Sequence, residues 1–165
     1  PDDERAARYI DAFERLRAPG KIMRWGVSNF DLRAMRELEA TENGEHCAVN
    51  RVLYNLSTRG IEFDMLPWCA DRGMPIMAYS PINQGALADD RGLAALARTM
   101  DVTAVQLAVA WSLRNPGMIV IPKSSTPARL DENRRAASLH LPPSVTRELA
   151  RLFPPPRRAR PLAML

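Results

Sequence analysis

Two cysteines, two histidines and two lysines are all that 165 residues carry of those types, and aromatic side chains make up 6% of the chain. Nothing in the spacing of Cys47 and Cys69 suggests a disulfide framework or a zinc site, so both are expected as reduced core thiols. His46 directly precedes Cys47. On a strand the two would point to opposite faces and could not share a ligand. His140, before Leu141-Pro142-Pro143, reads as a solvated loop residue. The aromatics are too few, and too separate from the basic residues, to build a base-stacking surface. A net charge of +4 with a pI near 9.6 is modest for a nucleic-acid binder. The arginines at 157, 158 and 160 form a short Pro-Arg tail that reads as solvated, so no nucleic-acid partner is expected. No apolar run approaches the ~18 residues of a membrane helix and no leader pattern is present. No membrane partner is expected, and a cytoplasmic location is. Also missing is a G-x-G-x-x-G after any strand, which excludes the usual doubly wound dinucleotide fold.

What is present is globular: 46% hydrophobic and 25% charged residues, in a length of about one domain. The most informative stretch runs over 118–133. Met118-Ile119-Val120-Ile121 reads as a buried strand that breaks at Pro122. Lys123-Ser124-Ser125-Thr126-Pro127 follows, with Thr126 suited to a helix N-cap and Pro127 to the first helical position. On that helix Arg129, Glu132 and Asn133 share a face. Lys123 is one of only two lysines, the other being Lys21. A helix start flanked by two cations and two hydroxyls is a candidate phosphate site; a solvated loop that happens to be basic is the plainer alternative.

The rest of the chain repeats one theme. A helix ending at Pro19-Gly20 opens with the acidic run Pro1-Asp2-Asp3-Glu4 and carries Ala7, Ile10, Phe13 and Leu16 at helical spacing. Strands are expected at 23–27, 48–54, 74–79 and 118–121, alternating with helices. These helices are expected at 31–39, 63–71, 91–100, 103–114, from 127, and at 143–152. Alternating strands and helices, with strands apolar on nearly every residue, mean a parallel sheet covered by helices. The fold expected is α/β, of the (β/α)8 TIM-barrel type. Four strands do not close a barrel, so about half of one is expected, with two open sheet edges. The half-barrel would span 1–153 and the Pro/Arg-rich tail 154–165.

Polar residues gather at strand ends: Ser28 and Asn29, then Asn50 and Arg51, then Tyr79 and Ser80, then Lys123 and Ser124. Taken singly, Ser28 and Asn29 read as turn formers, Asn50 as a strand-end cap and Tyr79 as a rim aromatic. Together they suit a ligand with a polar ring at one end and phosphates at the other, a nicotinamide dinucleotide.

At these residues the chain strongly resembles the aldo-keto reductase family of NADPH-dependent (β/α)8 barrels that reduce aldehydes and ketones. The matching motifs are G-V-S-N-F at 26–30, V-L-Y-N at 52–55, A-Y-S-P at 78–81 and I-P-K-S at 121–124. The likeness covers the whole chain, and its last residues look like the carboxyl end of bacterial members. The resemblance implies that Ser28 and Asn29 hydrogen-bond the nicotinamide carboxamide and that Tyr79 stacks on the ring. Ser80, Ile82 and Gln84, with backbone at Gly85, would line the pyrophosphate. Lys123, Ser124 and Arg129 would hold the 2′-phosphate of NADPH, and Glu132 and Asn133 would contact the adenine.

Two departures from the family pattern stand out. Arg51 replaces a Gln; it donates but cannot accept from the carboxamide NH2, and its charge would sit near a ring that becomes cationic on oxidation. The family's catalytic Tyr, Lys, His and Asp lie on the first four strands of the barrel. Tyr9, Tyr54 and Tyr79 do not match the donor's motif, so no catalytic residue is assigned and a truncated chain is expected. The expected partners are a small carbonyl substrate in the complete barrel and an amino-terminal half-barrel. The alternative is a non-catalytic dinucleotide-binding module that self-associates to cover its open edges.

Overall fold

Short apolar runs fenced by turn residues become four strands, and the register between them decides where the chain's polar groups emerge. The structure, a computed structural model, describes residues 3–165, with side chains from residue 6 onward. The acidic start read at Pro1 and Asp2 therefore lies outside the described residues. Among those residues the order is α1 (Asp3–Arg17), β1 (Trp25–Ser28), α2 (Leu32–Ala40), β2 (Cys47–Leu53) and α3 (Met65–Asp71). There follow β3 (Ile76–Tyr79), α4 (Arg91–Arg98), α5 (Ala104–Leu113), β4 (Met118–Val120), α6 (Pro127–Ala136) and α7 (Pro143–Leu152). The strands pair in parallel in the order β1-β2-β3-β4, so β1 and β4 are the edges. This is the α/β architecture expected, supplied as four parallel strands with their helices.

Register assigns the two faces. Asn50 lies opposite Val27 and Ile76, and Ile76 opposite Met118. With Val52 and Ala78, which alternate with them, these residues form the face packed under helices. Asn50, Val52, Ile76 and Ala78 are buried. One residue further along each strand, Ser28, Arg51, Met77 and Ile119 pair across the other face. That face is open: Ile119 is 41% exposed. It is the side that a closed barrel turns inward.

Gly26 sits where the β1–β2 register shifts between Trp25 and Val27. A Cβ there would lie 2.5 Å from both the Val49 carbonyl oxygen and its Cγ1. The glycine is what lets these strands approach. β1 is also anchored to α1: the Trp25 indole N–H donates to Glu14 at 2.7 Å, and Phe13 stacks on the Trp25 ring. Hydrogen bonds from Arg17 and then Trp25 hold the Glu14 carboxyl down at about 2.

Helix starts follow local chemistry. Asp31, Asp64 and Asp90 accept from backbone N–H groups at the starts of α2, α3 and α4. Thr103 and Gln106 form a reciprocal capping box on α5. α6 differs from expectation. Thr126 stands at the N-cap position, but its hydroxyl caps nothing; the Ser124 hydroxyl instead accepts from the Thr126 N–H at 3.1 Å. The strands begin later than expected at Trp25 and Ile76, because Met23 is 88% exposed and the Met74-Pro75 segment is still approaching the sheet. The stretch read as helix from residue 63 begins instead with a 3-10 turn, Gly60–Glu62, and α3 starts at Met65.

Cys47 and Cys69 are both buried and unpaired. Burial pushes both thiols up, Cys69 to about 11, so neither is a nucleophile near neutral pH. No helix among the described residues is long and apolar enough to cross a membrane. The segment 154–165 carries no helix or strand but lies against the body, with Leu162 packed on the core and Arg160 beside Gly60.

Candidate functional site

The residues picked out by the strand-end argument emerge at the carboxyl edge of the sheet or in the segment just beyond it, except Asn50, which is buried mid-β2 on the helix-packed face. At one end Asn29, Arg51 and Tyr79 touch one another. Arg51 pairs with Met77, and Tyr79 lies two residues further along β3, so Arg51 and Tyr79 share a face as diagonal neighbours. The Arg51 guanidinium carbon sits 4.7 Å from the centre of the Tyr79 ring. The Tyr79 hydroxyl donates to Asn29 Oδ1 at 3.1 Å. Asn29 is held in left-handed backbone (φ 58°), with its N–H donating to the Arg51 carbonyl at 2.8 Å. The Ser28 hydroxyl donates to that same carbonyl at 3.2 Å and is exposed at the rim. Tyr79 is only 8% exposed: its hydroxyl is taken by Asn29 and Arg51 lies over its ring.

The loop after β3 is built on unusual backbone. Ser80, Asn83 and Gln84 all have positive φ (50°, 47° and 54°), followed by Gly85 at 102°. The turn is closed by its own backbone: the Asn83 N–H donates to the Ser80 carbonyl at 2.9 Å and the Ala86 N–H to the Asn83 carbonyl at 3.0 Å. Ile82 contributes through its backbone: its side chain packs against the core, and its carbonyl accepts from the Gly85 N–H at 3.0 Å. Gln84 is exposed and Gly85 half-buried.

Beyond β4, Lys123 and Arg129 are exposed, and neither forms an ion pair with a described residue. Of the two acids between Arg129 and the end of α6, Asp131 is already engaged and Glu132 forms no ion pair with a described residue. Asp131 is paired with Arg134 at 2.9 Å and with Arg135, and those contacts hold its carboxyl below the usual range. Glu132 and Asn133 are half-buried on the same helix, while Ser124 is occupied in shaping its start. Two uncompensated cations therefore stand at the amino end of α6, where the helix dipole is also positive.

Two buried asparagines play parts that sequence alone did not show. Asn55 is fully buried: its Oδ1 accepts from the Ser57 and Thr58 N–H groups, and its Nδ2 donates to the Ser80 carbonyl at 2.9 Å. It thereby ties the exit of β2 to the strained loop after β3. The signal for the turn was legible as Asn before Leu-Ser-Thr; the partner 25 residues away was not. Asn50 likewise is no cap of its own strand. It donates to the Phe30 carbonyl at 2.8 Å and holds the segment that follows Asn29. No three His, Cys, Asp or Glu side chains gather as metal ligands among the described residues.

This arrangement was compared with known proteins. The profile of the aldo/keto reductase family matches residues 3–153. The methylglyoxal reductase YeaE of Escherichia coli is 38% identical over 161 residues, which are 94% of this chain and 57% of that protein. An aldo/keto reductase from Klebsiella pneumoniae, solved in complex with NADP and acetate, superposes with a TM-score of 0.94 at 41% identity over 97% of this chain and 58% of its own. An aldo-keto reductase from the same organism in complex with NADPH gives 0.91 at 42% identity, covering 94% and 57%. The chain thus spans a little over half the length of these relatives, and its strands and helices take the arrangement of that part of their (β/α)8 barrels. The chain belongs to the aldo/keto reductase family.

Proposed function

We propose that this chain supplies the dinucleotide-binding part of an NADPH-dependent aldo-keto reductase barrel that reduces a small aldehyde or ketone to an alcohol. The observation that carries this is the pairing of a buried, hydrogen-bonded ring at one end of the rim with two uncompensated cations at the other. That set fits the cofactor: ring, the loop after β3 and phosphate-binding charge follow one another along the strand ends in the order of the cofactor's own parts. Tyr79 presents a stacking face, and Ser28 and Asn29 sit where carboxamide contacts are needed. The backbone at 80–85, with Gln84 and Gly85, lines the pyrophosphate. Lys123, Ser124 and Arg129 hold the 2′-phosphate, and Glu132 and Asn133 meet the adenine. When bound, the nicotinamide supplies hydride to a carbonyl carbon; this chain's residues bind and orient.

The relatives support the cofactor and the substrate class, since two are solved with NADP or NADPH and one is a methylglyoxal reductase. Proton donation falls to residues outside this chain, so turnover requires the complementary strands. We take the half-barrel to end at 153 and 154–165 to be its tail, and a cytoplasmic setting suits the unpaired thiols. A specific feature favours association as well. β1 and β4 each pair on one side only, so an amino-terminal half-barrel or a second copy would cover both edges.

The test is an NADPH titration of the purified chain followed by tryptophan fluorescence. Saturable binding that Lys123→Ala weakens about tenfold is expected, from the loss of one charge-assisted contact of roughly 1.5 kcal/mol. No saturation, or indifference to the substitution, would overturn the assignment of the phosphate site.

A further inference from the structure

We propose that Arg51 gives this site a preference for the reduced dinucleotide over the oxidised one; this rests on the cofactor assignment above. The guanidinium is stacked on the Tyr79 ring, 4.7 Å from its centre, on the face of the sheet that a barrel turns inward. It makes no ion pair with any described residue, so its charge is not cancelled locally. Arg51 is exposed on that open face. A planar ring that stacks on Tyr79 therefore shares its platform with a fixed positive charge.

The two redox forms differ at that point. Oxidised nicotinamide carries a positive charge in the ring and the reduced form carries none. Their phosphates are the same, so any attraction of Arg51 for the phosphates cancels when the two affinities are compared as a ratio. What survives in the ratio is repulsion between guanidinium and oxidised ring. At roughly 7 Å and an effective dielectric between protein and water, that repulsion amounts to about a three- to tenfold difference in dissociation constant. The consequence is release of the oxidised form after each turnover and a bias of the site toward reduction. Arginine is suited to this because it stays charged at every working pH.

The experiment measures Kd for NADPH and for NADP+ on the full chain, by fluorescence titration, for the wild type, Arg51→Gln and Arg51→Lys. The ratio of the NADP+ constant to the NADPH constant is expected to fall three- to tenfold in Arg51→Gln. Arg51→Lys keeps the charge without the planar stack, and its ratio is expected to stay near the wild-type value. Circular dichroism identifies a variant that fails to fold, in which case the Lys variant is set against Arg51→Met. A ratio unchanged in Arg51→Gln, with both affinities moving together, overturns the inference and leaves the cofactor assignment standing. A Lys variant that matches Gln overturns it too, by assigning the effect to shape. Failure of the wild type to bind either form removes both.

Discussion

Asn55 commits every polar atom of its side chain to backbone, and the strained turn at Ser80 is held from there. Asn55→Ala would remove the side-chain acceptor of the Ser57 and Thr58 N–H groups and one donor to the Ser80 carbonyl, and is expected to lower stability by about 1–3 kcal/mol, read as a shift in the urea midpoint. It should also weaken NADPH binding although Asn55 touches no ligand, because the backbone of 80–85 loses its anchor. Unchanged affinity in the folded variant would show that the loop holds its shape alone. Tyr79 separates two contributions. Tyr79→Phe removes only the bond to Asn29 and should cost about 1 kcal/mol of stability while retaining dinucleotide binding. Tyr79→Ala removes the platform and should abolish measurable binding; equal affinities in the two variants would exclude stacking. At this scale the sequence was legible for residues whose role is local, such as Pro127 at the start of α6. It was not legible for Arg59, which sits in a Ser-Thr-Arg-Gly run that reads as a solvated turn. Its burial depends on Glu62, Trp111 and the Phe153 carbonyl, and two of those partners lie far along the chain.

At the scale of elements, hydrophobic period and turn residues identified all four strands and the helices, and only their ends moved. Ends moved by a residue or two: β4 closes at Val120 although Ile121 continues the apolar run, because Val120 is the last residue paired with β3 and Pro122 follows at once. The close approach of β1 to β2 was not legible. A glycine in G-V-S-N-F is as consistent with a turn as with contact, and only the register shift reveals that Val49 leaves no room. Gly26→Ala must push against backbone and is expected to destabilise by about 1–3 kcal/mol. For a chain of this length that is a fall in Tm of about 2–4 °C per kcal/mol, measured by thermal circular dichroism. A variant as stable as the parent would mean that β1 can slide on β2 without penalty.

Across the whole molecule, one buried polar network joins parts that the sheet does not. Glu62, 13% exposed, accepts from Tyr54 at 2.6 Å and from Arg114 at 2.9 Å, and pairs with Arg59 at 2.7 Å. Arg59 in turn donates to the Phe153 carbonyl at the end of α7, and both arginines lie against the Trp111 ring. Burial pushes the Glu62 carboxyl up, but the hydrogen bonds from Arg59, Tyr54 and Arg114 outweigh it and hold the group below its ordinary value of 4.5. A depressed carboxyl contributes stability that is fully present above that ordinary value and is lost as pH falls through the folded one. The urea midpoint is therefore expected to drop on acidification below about pH 4.5, and Glu62→Gln should flatten that part of the profile. Glu62→Ala, which strands the buried Arg59 and removes the partner of the partly exposed Arg114, should cost about 3–5 kcal/mol at neutral pH. An identical acid profile in Glu62→Gln would assign the sensitivity to other carboxylates.

The left-handed backbone at Ser80, Asn83 and Gln84 has a bearing on how this molecule can be improved in the laboratory. Each of these residues holds a conformation that glycine adopts freely, so glycine at any of them relieves strain. A selection for heat resistance alone would thus be rewarded for erasing the side chains that give the loop its chemistry. Libraries aimed at robustness would do better to leave 80–85 fixed and to vary the helices instead.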